Sequence, residues 1–112
     1  GSFIGPNVTI GASVKIGVGS IVNSNAVVEH DSVISDFCHI APGCSVAGRV
    51  CIGAFTFLGI GSCIIPDITI GHSCIIGAGS TIVDPIPANT VAFGEKAKPK
   101  RYNSVNIYNQ NV

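Results

Sequence analysis

The sequence has no methionine, no tryptophan and a single leucine, and only 12 of its 112 residues are charged. Each shortage excludes something. Helices draw their cores from Leu and Met, whereas the 17 Ile and 13 Val found here are stiff at χ1 and sit best on pleated surfaces. An all-β chain is therefore expected. A charged fraction of 11% is well under the roughly 25% of an average globular domain, and 14 glycines reduce the polar surface further. That scarcity points to faces buried against a partner. Six basic and six acidic residues cancel, which leaves neither a nucleic-acid footprint nor a polybasic membrane patch. No apolar run nears the roughly 18 residues of a spanning helix and no signal peptide is present, so a cytoplasmic location is expected. The five cysteines (Cys38, Cys44, Cys51, Cys63, Cys74) form no CxxC pair and no zinc spacing. A chain of 112 residues has room for one small domain and no second core.

What is present is a repeat. From Ile4 onward, every sixth residue is aliphatic through fourteen hexads: Ile4, Ile10, Ile16, Val22, Val28, Ile34, Ile40, Val46, Ile52, Leu58, Ile64, Ile70, Ile76 and Ile82. Four residues after each stands a small or branched side chain; Cys38, Cys44 and Cys74 fall on this position, as small core residues would. The residue directly after the aliphatic one is often Gly, as at Gly5, Gly11, Gly17, Gly53, Gly59, Gly71 and Gly77. A period of six fits neither a helix nor a long alternating strand. It fits short strands that turn a corner every six residues, these glycines supplying the positive φ at the corner. Three segments close a triangular coil of about 18 residues, and coils stack at the spacing of paired strands, about 4.8 Å. The repeat spans 4–87, with 1–3 a possible cloning scar and 88–112 an exit segment and tail. Residues 102–112 read as a tail or a short strand along a neighbour.

Acidic residues cluster once, around His30: Glu29, Asp31 and Asp36 lie within eight positions. A carboxylate beside an imidazole stabilises its charged form and orients the ring for proton abstraction, which is what a general base needs. His30 is third in its hexad, near a corner and away from inward positions. By residue type alone it is either such a base or a solvated turn histidine. His72 is third in its own hexad with Ala54 one coil earlier, and reads as a surface turn residue.

This repeat resembles that of the hexapeptide-repeat acyltransferases. The resemblance implies a left-handed parallel β-helix, an exception to the usual right-handed crossover, and a homotrimer. The stretch Val27-Val-Glu-His-Asp-Ser-Val-Ile-Ser-Asp-Phe-Cys-His-Ile-Ala-Pro-Gly-Cys-Ser-Val-Ala-Gly48 is similar to the core of the sugar O- and N-acetyltransferases. That subgroup includes the sialic acid O-acetyltransferases and the bacillosamine and perosamine N-acetyltransferases. The resemblance implies His30 as general base, Asp31 as the acidic residue tuning it, and His39 as a contact to acetyl-CoA. It implies Gly48 as the donor of a backbone N–H to the acetyl carbonyl, and Ile60 and Ala78 as contacts to the pantetheine arm. The implied reaction is direct acetyl transfer from acetyl-CoA to a sugar or nucleotide-sugar amine, or a hydroxyl, without a metal. The exit segment 88–101 partly matches the family's, and Lys96, Lys98, Lys100 and Arg101 there are either contacts to coenzyme A phosphates or solvated charges. The family's N-terminal sugar-binding domain has no counterpart here, so a fragment of a longer enzyme is the expectation.

His30 and His39 are nine residues apart, half a coil, so they belong on different faces of the prism. One site can use both only if two subunits form it. Two rivals are a γ-class carbonic anhydrase-like zinc enzyme, suggested by three histidines but lacking the His-x₄-His pair of that class, and a non-catalytic trimeric binding β-helix.

Overall fold

The computed structural model describes residues 1–94 and 96–102. Glu95 and most of the anticipated tail, 103–112, lie outside the described residues. Fifteen strands of two residues run from Phe3–Ile4 to Val91–Ala92. They stack in parallel into three sheets of six, five and four strands. Up to Thr81–Ile82 each strand pairs with the strand eighteen residues on, as Val27–Val28 with Ser45–Val46 and Cys51–Ile52 with Thr69–Ile70. The first sheet contains His39–Ile40, the second Ser45–Val46 and the third Cys51–Ile52. The described chain is thus an all-β solenoid of triangular coils. No helix in it is long and apolar enough to cross a membrane.

The core is the repeat made physical. The second residue of each strand points inward, and Val22, Val28, Ile40, Val46, Leu58, Ile70 and Ile76 are fully buried. Ile4 and Ile10 belong to the same columns but lie at the end of the stack, and they are 44% and 39% exposed. The small residues of each hexad fill the inner corners. There Ser20, Ser32 and Thr56 donate to the carbonyls of Ser35, Ala47 and Gly71 at 2.6–2.8 Å, and accept from the N–H of Cys38, Val50 and Cys74 in the next coil. Cys38 and Cys44 send their thiols to the equivalent carbonyls of Gly53 and Gly59. Serine, threonine and cysteine therefore share one hexad position because each is small and each carries a donor for the carbonyl fifteen residues ahead.

Two expectations need correction. The positive φ at the corners is not supplied by the glycine that follows the aliphatic residue. It falls two residues later, every six residues from Asn7 to Gly79, mostly on Asn, Asp, Ser and Gly. Asn and Asp tolerate this region through local side-chain bonding. The glycines after the strand instead make room, since a Cβ on Gly53 would lie 2.4 Å from the backbone nitrogen of His72. The coil also continues into the segment read as the exit. Ile86 bridges Ile70, and Val91–Ala92 pairs with Ile75–Ile76, a spacing of sixteen residues where two have been lost from the turn at Val83–Pro85. Beyond it, Lys96, Lys98, Lys100 and Arg101 are exposed on an irregular chain.

Candidate active site

Because the coil length is constant up to Ile82, each corner there is a ladder of residues eighteen apart. The corner between the second and third sheets carries Ala12–Ser13, His30–Asp31, Gly48–Arg49 and Pro66–Asp67 in successive coils. Backbone bonds fix it: Asp31 N–H donates to the Ala12 carbonyl at 2.9 Å, Arg49 N–H to His30 at 3.0 Å and Asp67 N–H to Gly48 at 3.1 Å. Side chains that are strangers in sequence are therefore held as neighbours.

His30 is half exposed, and its Nδ1 lies 3.0 Å from Oδ2 of Asp31. A carboxylate only accepts, so the Nδ1 proton points at Asp31, and in the neutral ring Nε2 carries the lone pair. That nitrogen overhangs Gly48. A Cβ built on Gly48 would sit 2.7 Å from His30 Nε2 and 2.8 Å from Cε1. Gly48 is buried at its turn, unlike His30 and Pro66 on either side of it in the ladder. Its N–H has no intrachain acceptor among the described residues. A histidine nitrogen thus lies over a glycine whose N–H no intrachain acceptor takes; a ring nitrogen is the group that proton abstraction needs, and a free N–H the group that oxyanion stabilisation needs.

Arg49 and Asp67, which sequence reasoning did not single out, complete the ladder. Arg49 Nε donates to Asp67 Oδ1 at 2.6 Å and Nη2 to Oδ2 at 3.2 Å. The hydrogen bond from Arg49 holds the Asp67 carboxyl below the usual carboxylate range, with His30 contributing a lesser attraction. Asp67, and behind it Asp31, push the Arg49 guanidinium above its ordinary value. Stepping through the sequence by eighteen rather than six would have brought Asp31, Arg49 and Asp67 together.

Of the acidic residues around His30, only Asp31 touches it. Asp36 turns the next corner, where its Oδ1 accepts the Val18 N–H at 2.9 Å. Glu29 is exposed at the edge of the second sheet. His39 lies on the outer side of the first sheet, its Nε2 3.5 Å from Asn23 Nδ2 and its ring edge-on to Phe57 at 5.2 Å. It shares no face with His30. Ile60 and Ala78 are stacked and exposed at the corner between the first and second sheets, each followed by a glycine at positive φ. His72 lies at the remaining corner, with Nδ1 3.2 Å from Ser73 Oγ. The three histidines thus occupy three separate places, and among the described residues no three His, Cys, Asp or Glu side chains are grouped to hold a metal within one chain.

No known family profile matches the chain. A protein of Schizosaccharomyces pombe named as an acetyltransferase is 44% identical over 45 residues, which are 40% of this chain and 22% of that protein. The crystal structure of a mutant perosamine N-acetyltransferase from Caulobacter crescentus, in complex with CoA and GDP-perosamine, superimposes with a TM-score of 0.71 at 34% identity, covering 90% of this chain and 54% of that one. The acetyltransferase domain of PglB from Neisseria gonorrhoeae in complex with acetyl coenzyme A gives a TM-score of 0.66 at 33% identity, covering 88% and 54%. The chain thus spans about one fifth of the curated relative and about half of each solved neighbour. The six-residue repeat, the parallel β-solenoid it builds and these likenesses make the chain similar over most of its length to the acetyltransferases of hexapeptide-repeat type.

Proposed function

We propose that this chain carries the transfer centre of an acetyl-CoA-dependent acetyltransferase whose acceptor is an amine, or a hydroxyl, of a sugar or nucleotide sugar. The observation that carries the reading is the His30 ring, tied to Asp31 through Nδ1 with Nε2 turned over the Gly48 backbone. The acceptor nitrogen attacks the thioester carbonyl as His30 Nε2 takes its proton. Gly48 N–H donates to the oxyanion that forms, and collapse breaks the carbon–sulfur bond, the imidazolium returning the proton to the departing thiolate as coenzyme A leaves. Asp31 keeps the ring in the reactive tautomer and balances the imidazolium. General-base assistance of this kind is worth roughly 10²–10⁴-fold and one oxyanion donor about 10²–10³-fold. The solved neighbours bound to CoA, acetyl-CoA and GDP-perosamine support the donor and the acceptor class.

The same reading assigns His39, Ile60 and Ala78 to the donor and divides the site between copies. His39 stands in a row of outward residues on the first sheet, Phe3, Ile21, Phe57, Ile75 and Val91, of which Ile75 and Val91 are 52% and 60% exposed. The second and third sheets present Thr9, Ser45, Thr81, Lys15 and Thr69 among their outward residues. At the edge of the apolar face, Phe37 and Phe55 stack with centroids 5.3 Å apart, both bulky residues at positive φ. A patch this apolar on one chain is characteristic of a contact surface. Packing the first sheet against neighbours in a trimer is how His39 of one copy would reach the His30 corner of another.

The test is coenzyme A release from acetyl-CoA with a panel of amino-sugar nucleotides, together with calorimetric acetyl-CoA binding. His30→Ala is expected to lose 10²–10⁴-fold in kcat with donor binding kept, and His39→Ala to weaken donor binding. A fully active His30→Ala, or a fully active monomer, overturns the assignment.

A further inference from the structure

The corner ladder holds three charges of alternating sign in consecutive coils: Asp31, Arg49 and Asp67, each at positive φ (60°, 58° and 66°) and each locked in register by the backbone bonds described above. Coils rise by about 4.8 Å. The Arg49 guanidinium therefore stands between two carboxylates, one coil away on either side. Asp67 takes it with two hydrogen bonds, 2.6 and 3.2 Å long. Asp31 is left to His30 at 3.0 Å.

The alternative pairing is available to the same side chains. A guanidinium released from Asp67 has Asp31 as its nearest carboxylate, and a planar fork on a carboxylate is a stronger partner than a neutral imidazole N–H. Asp31 would then be drawn away from His30, and the ring would lose the contact that fixes its tautomer. The other groups around this ring offer no replacement: Ala12, Ser13 and Pro66 in the ladder are uncharged, and Glu29 makes no contact with it.

We propose that Asp67 is a positioning residue that acts at a distance of two coils: by holding Arg49 it keeps Asp31 free to orient His30. Arg49 without its anchor is the inhibitory element. The consequence for activity rests on the reading of His30 as the base, while the consequence for the ring does not.

The experiment uses the full chain as wild type, Asp67→Asn, Arg49→Gln and the double variant. Arg49 and Asp67 are about half and two-thirds exposed, so the fold tolerates each change. Nitrogen NMR of the histidine rings, with the His30 signal assigned by its loss in His30→Ala, reads the ratio of Nδ1–H to Nε2–H tautomers in the neutral ring. Wild type and Arg49→Gln are expected to hold the Nδ1–H form. Asp67→Asn is expected to lower the ratio about tenfold, the worth of one charge-assisted hydrogen bond, and removal of Arg49 in that background is expected to restore it. Coenzyme A release with the same sugar nucleotides should follow this order. Retention of the wild-type tautomer in Asp67→Asn, or failure of the double variant to recover it, overturns the inference. If the tautomers behave as expected while no variant transfers acetyl, the positioning stands and the assignment of function falls.

Discussion

Gly48→Ala separates chemistry from stability at one methyl group. The new Cβ would lie 2.7 Å from His30 Nε2 and 2.8 Å from Cε1. An ordinary contact between such atoms is about 3.5–4 Å, so the ring must move by ~0.8 Å or more. It is able to move, because it is the end of a half-exposed side chain and nothing larger has to shift. The φ of Gly48 is not among those in the left-handed region, so alanine is tolerated there and restricts the unfolded chain, a gain of about 0.4–1 kcal/mol. The expected protein is therefore as stable as the wild type or slightly more so. Displacement of a reacting group by about 1 Å costs on the order of 10²-fold in rate, and that is the expected loss in kcat, with acetyl-CoA binding little changed.

Gly43→Ala is the control with the opposite signature. Nothing stands within 4 Å of a Cβ there, but its φ is +72°, so alanine should lower stability by about 1 kcal/mol and leave kcat alone. Thermal unfolding and steady-state kinetics on the two variants check both expectations. A Gly48→Ala protein with wild-type kcat would show that the ring position over Gly48 does not matter for transfer, and the argument from geometry would fail.

In native protein, Cys51 and Cys63, which are exposed, should react with iodoacetamide first. Cys38 and Cys44, whose thiols burial pushes up, and the buried Cys74 should react only on unfolding, which peptide mass spectrometry resolves. Thr56→Val strands the Gly71 carbonyl and the Cys74 N–H and should cost about 1–3 kcal/mol in urea unfolding. The Asp67 carboxyl is held below its ordinary range by Arg49, so the contribution of this pair is complete above the unfolded carboxylate pKa and is lost as pH falls through the lower folded value. Unfolding curves of wild type and Asp67→Asn should separate by a small margin above about pH 4 and converge in more acidic solution.

The fold was legible because solenoid coils repeat one packing problem. Each hexad must bury one aliphatic residue and one small one, and the column from Val22 to Ile82 meets that demand without a gap. What the pattern misassigned was the corner. Gly after an aliphatic residue looks like a turn signal, but Asn23, Glu29, Ala41 and Ile65 occupy the same hexad position, which a positive φ would disfavour for Ile. The left-handed residue was visible two places on, in Asn7, Asn25, Asp31, Asp67 and Asn89. It was obscured by Arg49, Phe37 and Phe55, which sit there against their preference. The missing two residues at Val83–Pro85 hid the last coil in the same way, since a fixed step of six cannot follow a shortened turn.

The site was legible only where sequence neighbours remain spatial neighbours. His30 and Asp31 are adjacent on one turn, so their contact could be read directly, and Gly48 came from a likeness whose geometric content is the ring lying over its α-carbon. Asp36, five residues from Asp31, turned out to serve the opposite corner. In a triangular coil, side chains six apart occupy different corners and side chains eighteen apart share one. A charge cluster counted along the chain therefore mixes three environments, while one counted by coil does not. Counted that way, His30 has Asp31 beside it and Arg49 and Asp67 one and two coils on. A substitution at Asp67, thirty-seven residues away in sequence, is accordingly expected to reach His30 through Arg49 when one at Asp36 does not.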